Sequence, residues 1–323
     1  MKLAYIITAY KDAPQLLRLV KSLDCQADFY CHIDKKTNIR PFKKLLDNYP
    51  NVHFAKNRYF VNWGSFAQVL SQKELMGMVI NSGKNYDRVI CLSGLDYPIL
   101  SNQRIFDFFE KNRTKEFICG VNISDPVNSM LHDRVKVYHY FRDIRVRSVY
   151  LKKFFSGTSR IIMKMLPYRK TAGTSIGGKP ADIYMGSDYW ALTSPCARYV
   201  FDTMLNEKTL MRYFRHSFVP SEMCVQTIVF NSGFANQAIK SSVYCGLPAL
   251  TPLHYIVYSK EIKIFDELDY ETLTICGKLF FRKAVTGKSD KLMELIDIFR
   301  SMQEDIVMRN TPEESRDSVV RGK

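Results

Sequence analysis

The chain has 323 residues, of which 46% are hydrophobic and 24% are charged, an ordinary globular mix with enough apolar residues for a core. No run approaches the roughly 18 consecutive apolar residues of a transmembrane helix, and the N-terminus is too short and too strand-like for a signal peptide. The eight cysteines include no CxxC pair, which argues against a zinc site or a disulfide scaffold and favours reduced thiols in a cytoplasmic protein.

The first 121 residues alternate between strand and helix patterns. Apolar, β-rich runs predict strands over 3–10, 29–34, 52–55, 88–93 and 116–121. Apolar residues at helical spacing predict helices over 12–23, 39–48, 65–81 and 103–111. This order of βαβ units predicts an α/β fold with a Rossmann-like, mainly parallel sheet and helices on both of its faces.

A strongly basic segment follows. Between residues 134 and 170 there are eleven lysines and arginines and one acid, Asp143, so this segment carries +10 of the chain's net charge of +15. It lies in a variable stretch, 122–182, whose Gly/Ser/Thr-rich end at 171–180 is predicted to be a loop. Such a patch favours phosphates, nucleic acid, anionic lipid or acidic glycans.

We expect this variable stretch to contact an acceptor or a membrane. The part at 151–166 combines apolar residues with lysines, a pattern that suits a helix lying on anionic lipid. Its candidate lipid-facing cations are Lys152, Lys153 and Lys164. The expected location is therefore cytoplasmic, with a peripheral contact to the inner face of a membrane.

Regular patterns return after residue 183. The predicted elements are a strand-like stretch at 184–193 and helices at 196–205, 219–232 and 290–300. We divide this part into a second half at 183–285 and a C-terminal helix and tail at 286–323.

Two candidate ligand residues lie in the first half. Asp34 closes the second predicted strand, where an acid in a nucleotide-binding sheet commonly binds ribose or base, although a solvated turn would explain it equally well. Trp63 sits in the polar stretch before the third predicted helix. It either stacks on a base or packs over the edge of the sheet.

Asp96 follows the fourth predicted strand in the sequence LSGLDYPIL, from Leu92 to Leu100. Gly, Asp and Pro are turn formers, so a simple β-turn is one explanation. The other is a ligand site, because ligands of open α/β sheets bind beyond the carboxyl ends of the strands. A single carboxylate with no second acid or histidine beside it is a poor metal site, but it could accept hydrogen bonds from sugar hydroxyls.

The second half offers a carboxylate and two cations. Glu222 opens a predicted helix, where an acid either caps the helix dipole or serves as a general base held on a rigid element. Arg282 and Lys283 follow an apolar pair. They could neutralise a leaving diphosphate without a metal, or they could form a solvated basic turn.

The motifs of several common enzyme classes are missing. The sequence has no GxGxxG, GxxxxGK[ST], GxSxG or HExxH pattern. This argues against a nicotinamide-dependent Rossmann enzyme, a P-loop ATPase, an α/β-hydrolase and a zinc protease.

Several separated motifs together resemble the core-2/I-branching enzymes, glycosyltransferase family 14, which also includes peptide-O-xylosyltransferases. They span about residues 3 to 284. In chain order they are Tyr5-Ile6-Ile7-Thr8-Ala9-Tyr10 with Pro14-Gln15-Leu16-Leu17, His32-Ile33-Asp34-Lys35-Lys36, Arg58 with Val61-Asn62-Trp63-Gly64, Leu92-Ser93-Gly94-Leu95-Asp96-Tyr97-Pro98, Gly186-Ser187-Asp188-Tyr189-Trp190, Val219-Pro220-Ser221-Glu222, and Leu279-Phe280-Phe281-Arg282-Lys283.

The resemblance implies a GT-A-like nucleotide-sugar transferase fold and an inverting reaction that needs no metal or other cofactor. By position, Glu222 resembles the catalytic base, and Lys283 with Arg282 resembles the cations on the diphosphate. Asp34 and Trp63 resemble the residues that hold uracil and ribose, and Asp96 the carboxylate near the donor sugar. The half at 1–121 would then bind the nucleotide sugar, and 183–285 would bind the acceptor.

The expected donor is UDP-N-acetylglucosamine, with UDP-xylose or another UDP-sugar as the alternative. The expected acceptor is a glycan or lipid-linked glycan in surface polysaccharide assembly. The sequence departs from the family where the usual Phe-Ala-Arg-Lys-Phe reads Phe280-Phe281-Arg282-Lys283-Ala284, and no second phosphate-binding arginine can be matched. These features resemble a soluble, bacterial-type member. A nucleic-acid-binding protein without catalysis is a remote alternative, because the charge is confined to one segment and no such binding motif is present.

Overall fold

A computed structural model describes residues 1–145, 148–166 and 169–309, without the side chains of residues 149, 152, 153 and 305–309. Its strands are β1 Leu3–Ala9, β2 Ala27–Ile33, β3 Val52–Phe54, β4 Arg88–Ser93, β5 Asp96–Pro98, β6 Cys119–Asn122, β7 Gly173–Ile176, β8 Lys179–Asp182, β9 Tyr184–Met185, β10 Ala191–Thr193, β11 Ile239–Ser241, β12 His254–Ile256 and β13 Phe280–Arg282.

Helices make up most of the remaining regular structure. They are α1 Ala13–Leu23, α2 Arg40–Leu46, α3 Ala67–Ile80, α4 Asn102–Lys111, α5 Asp133–Lys136, α6 Val149–Met165, α7 Ser194–Asn206, α8 Lys208–Arg215, α9 Ser221–Phe230, α10 Tyr270–Ile275 and α11 Asp290–Arg309. Short 3-10 turns lie at Pro126–Leu131, Ala235–Gln237, Leu247–Leu250 and Glu267–Asp269.

The central sheet has five strands in the order β10-β4-β1-β2-β3. All its pairings are parallel except that of β10 with β4. Strands β2 and β4 are buried along their whole length, and β1 nearly so, which explains why they read as continuous apolar runs rather than alternating ones. Strand β10 comes from beyond the predicted boundary at 121, so both halves of the chain contribute to this sheet.

Helices cover both faces of the central sheet. One face packs against α3, α7 and α9 through a large apolar cluster that includes Ile6, Leu75 and Val200. The other packs against α1, α2 and α4 around Leu16, Phe42 and Phe109. The predicted α/β class, a mainly parallel sheet with flanking helices, is confirmed.

Two small sheets lie beside the central one, and the first of them carries the candidate site residues Asp96 and Arg282. In the first, β5 pairs antiparallel with β13, which in turn pairs with β12. In the second, β6 lies between β11 and β9. Strand β9 is followed by Gly186, whose backbone nitrogen donates to the carbonyl of Glu222 in α9. The prediction that 116–121 is a strand of the main sheet is wrong. Strand β6 joins the second small sheet because β10 occupies the place beside β4.

The predicted loop at 171–180 is also corrected. Residues there form an antiparallel hairpin of β7 and β8. Its turn is Gly177-Gly178, both with positive φ, at 57° and 76°. A two-residue hairpin turn requires positive φ at both residues, so these glycines connect the paired strands β7 and β8.

Two further findings concern the cysteines and membrane-spanning potential. Cys31, Cys91, Cys119, Cys196 and Cys224 are buried, and none of the eight forms a disulfide. Across the described ranges, every helix is too short or too polar to cross a bilayer.

Candidate active site

The Asp96 carboxylate lies in a buried polar cluster built by the pairing of β5 with β13, which sets Asp96 opposite Arg282. Its Oδ1 is 2.9 Å from Nη1 of Arg282, while its Oδ2 is 2.7 Å from the backbone nitrogen of Ser93 and 3.2 Å from Nε2 of His254. Arg282 also donates to the Ser93 hydroxyl. Asp96 has no exposed surface.

The electrostatics of this cluster favour an ionised Asp96 carboxylate paired with a charged Arg282 guanidinium. Burial raises the pKa of Asp96, but the guanidinium of Arg282, the hydrogen bond from His254 and the backbone N–H of Ser93 together hold it below its usual value. Burial likewise lowers the pKa of Arg282, and the nearby Tyr189 and Asp96 raise it overall. The carboxylate is therefore not open to a sugar hydroxyl, and this geometry favours a role for Asp96 in positioning Arg282.

Lys283 follows this cluster and is half-buried. Burial lowers the pKa of its ammonium, and the positive charges of Arg282 and Lys11 lower it further, against an opposite effect of Glu261. Within the described parts of the chain, its Nζ has no hydrogen-bond or ion-pair partner. Lys11 is exposed just beyond the carboxyl end of β1. Arg282 is paired with Asp96, so Lys283 and Lys11 are the cations left to favour an anionic ligand at this edge of the sheet.

Asp34 lies where predicted, at the carboxyl end of β2. Its carboxylate binds Lys36 and so stabilises the loop that follows this strand. Its Oδ1 accepts from the backbone nitrogen of Lys36 at 2.9 Å, and its Oδ2 is 3.3 Å from the ammonium of Lys36. Arg58 binds the backbone of the same loop, donating to the carbonyls of Ile33, Asp34 and Thr37. The contact of Asp34 with ribose or base stays a prediction.

Trp63 is 73% exposed, in contrast to the fully buried Trp190. Its only ring contact within the described residues is an edge-on one with Phe218, at 5.2 Å between centroids. The alternative that Trp63 packs over the sheet edge is therefore wrong. The preceding residue, Asn62, accepts a hydrogen bond from Lys36 of the Asp34 loop and donates to carbonyls of the basic segment. The Trp63 ring therefore lies near the Asp34 loop on one side and, through Phe218, near the start of the Glu222 helix on the other.

Glu222 lies in the first turn of α9, as predicted. Its backbone carbonyl accepts from the nitrogen of Gly186 at 2.8 Å, and its carboxylate is 3.1 Å from Nη1 of Arg134. Burial and the neighbouring Asp188 raise the pKa of Glu222 to about 8, and Arg134 only partly offsets them. A carboxyl that ionises near neutral pH is suited to general-base chemistry.

Asp188 and Arg134 are two further residues near Glu222 that the sequence does not single out. Asp188 accepts from Nε2 of Gln72 and from the hydroxyl of Ser221, both at 3.3 Å, and burial raises its pKa to about 6. The available signal was an acid inside the motif Gly186-Ser187-Asp188-Tyr189-Trp190. For Arg134 the sequence offers no signal, because it is one of many cations in the same segment.

Two consecutive residues link Glu222 to the Arg282 cluster. Asp188 acts electrostatically on the Glu222 carboxyl, and the next residue, Tyr189, lies under the Arg282 guanidinium, whose central carbon is 5.3 Å from the ring centroid. Tyr189 also contacts His254, with 4.7 Å between the ring centroids. The arrangement can accept a proton at Glu222 and neutralise an anion near Lys283.

Comparisons with known proteins agree with this chemistry. The family description "Core-2/I-Branching enzyme" matches residues 3–263. Curated relatives include "Xylosyltransferase oxt" of Drosophila melanogaster, 23% identical over 252 residues, or 76% of this chain and 26% of the relative. "Xylosyltransferase 2" of Mus musculus is 26% identical over 243 residues, 72% of this chain and 25% of the relative.

A third curated relative is "Beta-1,3-galactosyl-O-glycosyl-glycoprotein beta-1,6-N-acetylglucosaminyltransferase 4" of Mus musculus, 23% identical over 74% of this chain and 49% of the relative. The aligned part thus spans about a quarter to a half of these relatives. Among solved structures, mouse xyloside xylosyltransferase 1 is 11% identical over 75% of this chain and 86% of its own, with a TM-score of 0.31. That likeness is too weak to carry an argument about fold. The match over residues 3–263 is sufficient, and the chain belongs to the Core-2/I-branching enzyme family.

Proposed function

We propose that this protein is an inverting, metal-independent glycosyltransferase. It moves a sugar from a UDP-sugar, with UDP-N-acetylglucosamine as the first candidate, onto a hydroxyl of a glycan in surface polysaccharide assembly at the cytoplasmic side of the membrane. One observation carries the proposal: Glu222, a carboxyl with a raised pKa, is linked through Asp188 and Tyr189 to Arg282, the neighbour of Lys283 in the chain.

In the proposed reaction, the Glu222 carboxylate takes the proton of the acceptor hydroxyl as that oxygen bonds to C1 of the donor sugar. The bond from C1 to the diphosphate oxygen breaks, and its electron pair leaves with UDP. Lys283 and Arg282 stabilise the negative charge that develops on the diphosphate. Attack opposite the leaving group inverts the configuration at C1.

Metal independence is supported by the state of Asp96. Its Oδ1 is bound by Arg282 and its Oδ2 by Ser93 and His254, and the carboxylate is fully buried, so it is poorly placed to hold a divalent ion on a diphosphate. The cations supply the charge that an ion would otherwise bring.

The activity is tested by measuring UDP release from a panel of UDP-sugars, including UDP-N-acetylglucosamine and UDP-xylose, in the presence of EDTA. Release from one donor that EDTA does not change and that Glu222→Gln abolishes is the expected result, and it identifies the sugar. A strict requirement for added Mg²⁺ or Mn²⁺ would contradict the mechanism. Oligonucleotide binding with no binding of UDP would favour the nucleic-acid alternative.

Lys283→Ala is expected to raise the Kd for UDP about 10–100-fold, because it removes one charge-assisted contact to the diphosphate. Isothermal titration with UDP and with uridine separates this effect from base recognition, since uridine has no phosphate. Lys288→Ala is the matched control, because Lys288 is exposed on the turn five residues further on. Equal affinity of the two variants for UDP would remove Lys283 from the site.

Trp63 gives an optical signal for nucleotide binding. UDP is expected to quench the fluorescence of the exposed Trp63 by stacking on its ring, while the buried Trp190 is shielded from ligand. Trp63→Phe should remove the quenching and keep binding, and Trp63→Ala should weaken binding by about 1–3 kcal/mol. Undiminished quenching in Trp63→Phe would show that the base lies elsewhere.

A further inference from the structure

Helix α6 presents large apolar side chains to solvent along most of its length. Tyr150 is 87% exposed, Phe154 64%, Ile161 63% and Met165 80%. Helical geometry turns about 100° per residue, so these four positions fall within an arc of about 60°. They form a continuous apolar stripe that faces solvent, whereas the apolar stripe of an ordinary surface helix faces the protein core.

The rest of the helix confirms this orientation. Leu151, Phe155 and Ile162 widen the exposed stripe on one side. The buried Ser159 and the half-buried Met163 lie on the opposite side of the helix. The apolar stripe is thus not the face that packs on the protein, and it lacks a covering element among the residues described here.

The positive charges beside the apolar stripe favour an anionic lipid surface as its partner. Exposed cations of the same segment include Arg145, Arg160 and Lys164, in a stretch with a net charge of +10. An apolar face bordered by cations suits the boundary between the headgroups and acyl chains of an anionic membrane. A second copy of the chain is disfavoured, because the two strongly positive segments would repel each other.

We propose that α6 docks this protein on an anionic lipid surface, with the stripe Tyr150, Phe154, Ile161 and Met165 inserted below the headgroups. Lys164 is among the cations predicted for this contact. The side chains of the other two, Lys152 and Lys153, lie outside the described residues.

The docking helix is linked to the catalytic base by a short chain of contacts. Lys164 forms an ion pair with Asp133 on α5, and the next residue, Arg134, is bonded to Glu222. An enzyme held by α6 would therefore present its acceptor side close to the bilayer. This indicates a lipid-linked glycan as the acceptor, a step that rests on the proposed transferase function, whereas the docking itself does not.

The test is co-sedimentation of the full chain with vesicles of phosphatidylcholine alone and of phosphatidylcholine with phosphatidylglycerol. Binding is expected only to the mixed vesicles. The triple variant Phe154→Ser, Ile161→Ser, Met165→Ser should weaken it at least ten-fold, and Arg160→Gln about five-fold. The matched control is Leu268→Ser with Ile275→Ser, because these side chains are equally exposed on another part of the surface, at 88% and 84%.

Equal binding to both kinds of vesicle, or equal loss in the triple variant and in the control, would overturn the proposal. So would a vesicle-free dimer in sedimentation velocity that the triple variant abolishes, because the stripe would then belong to a second copy. Thermal unfolding establishes that each variant is folded. Release of UDP from the soluble donor reports on the transferase function separately, so failure of either proposal is recognised without the other.

Discussion

Glu222→Gln is expected to lower kcat for sugar transfer by about 10²–10⁴-fold, the usual contribution of a general base. The amide has nearly the shape of the carboxyl but cannot take the acceptor proton. Because Glu222 is proposed to act on the acceptor hydroxyl and not on the diphosphate, the Kd for UDP should stay close to that of the wild type. Single-turnover transfer and titration with UDP measure the two quantities. A variant that transfers sugar at the wild-type rate would remove Glu222 from the catalytic role.

The pH dependence follows from the raised pKa of about 8 at Glu222. The base must be ionised, so kcat/KM of the wild type should rise with pH and level off above that pKa. Removing the nearby negative charge with Asp188→Asn should lower the pKa of Glu222 and move the rising limb to lower pH. A rate that is already at its plateau at pH 6 would contradict the assignment.

The same shift bears on stability. A carboxyl whose pKa is higher in the folded state stabilises the fold at pH values below its unfolded pKa, and this contribution is lost as pH rises through the folded pKa. Between about pH 4.5 and 8 the wild type should therefore lose stability relative to Glu222→Gln, on the order of a few kcal/mol. Urea unfolding at several pH values provides this control and establishes that an inactive Glu222→Gln is folded.

Asp96→Asn is expected to lower the free energy of unfolding by about 3–5 kcal/mol at pH 7, because it leaves the charge of Arg282 buried without a counter-ion. Both partners are nearly inaccessible, with side-chain exposures of 0% and 10%. Replacing both together, Asp96→Leu with Arg282→Met, should restore much of the stability and none of the UDP binding. Urea unfolding and titration with UDP measure the two effects.

The sign of the pH effect at Asp96 is opposite to that at Glu222. A carboxyl whose folded pKa is depressed contributes stability above its unfolded pKa, and this is lost as pH falls through the folded value. The difference between wild type and Asp96→Asn should therefore be full at pH 7 and shrink below about pH 4. A difference under about 1 kcal/mol at pH 7 would mean that Arg282 finds another partner or water.

Local sequence was sufficient for the elements of the central sheet. Strands β1, β2 and β4 are apolar because both their faces are covered, and Glu222 lies in the first turn of a helix, as its neighbours Pro220 and Ser221 indicate. Local sequence does not predict contacts between strands that are far apart in the chain. That Asp96 would be enclosed by Arg282 and His254 depends on strands far apart in sequence, and no local pattern encodes such a contact.

Exposure was equally hard to predict. The sequence allows Trp63 to stack on a ligand or to pack on the sheet, and only the folded structure shows that its ring is mostly exposed, with one edge against Phe218. The sequence of the β7–β8 hairpin favours a loop because glycines and hydroxyl residues dominate it. Its ladder is formed by main-chain atoms, which the side-chain pattern does not report.

The pairing of Asp96 with Arg282 has a consequence for how the protein is made. These residues are 186 positions apart, so all five strands of the central sheet are synthesised well before the partner of Asp96. Until β13 emerges, the buried place of that carboxylate cannot be completed, and contacts of such long sequence separation form slowly. A nascent chain would thus complete this cluster only near the end of translation, and a fragment that stops before residue 282 would lack both cations that are proposed to stabilise the diphosphate.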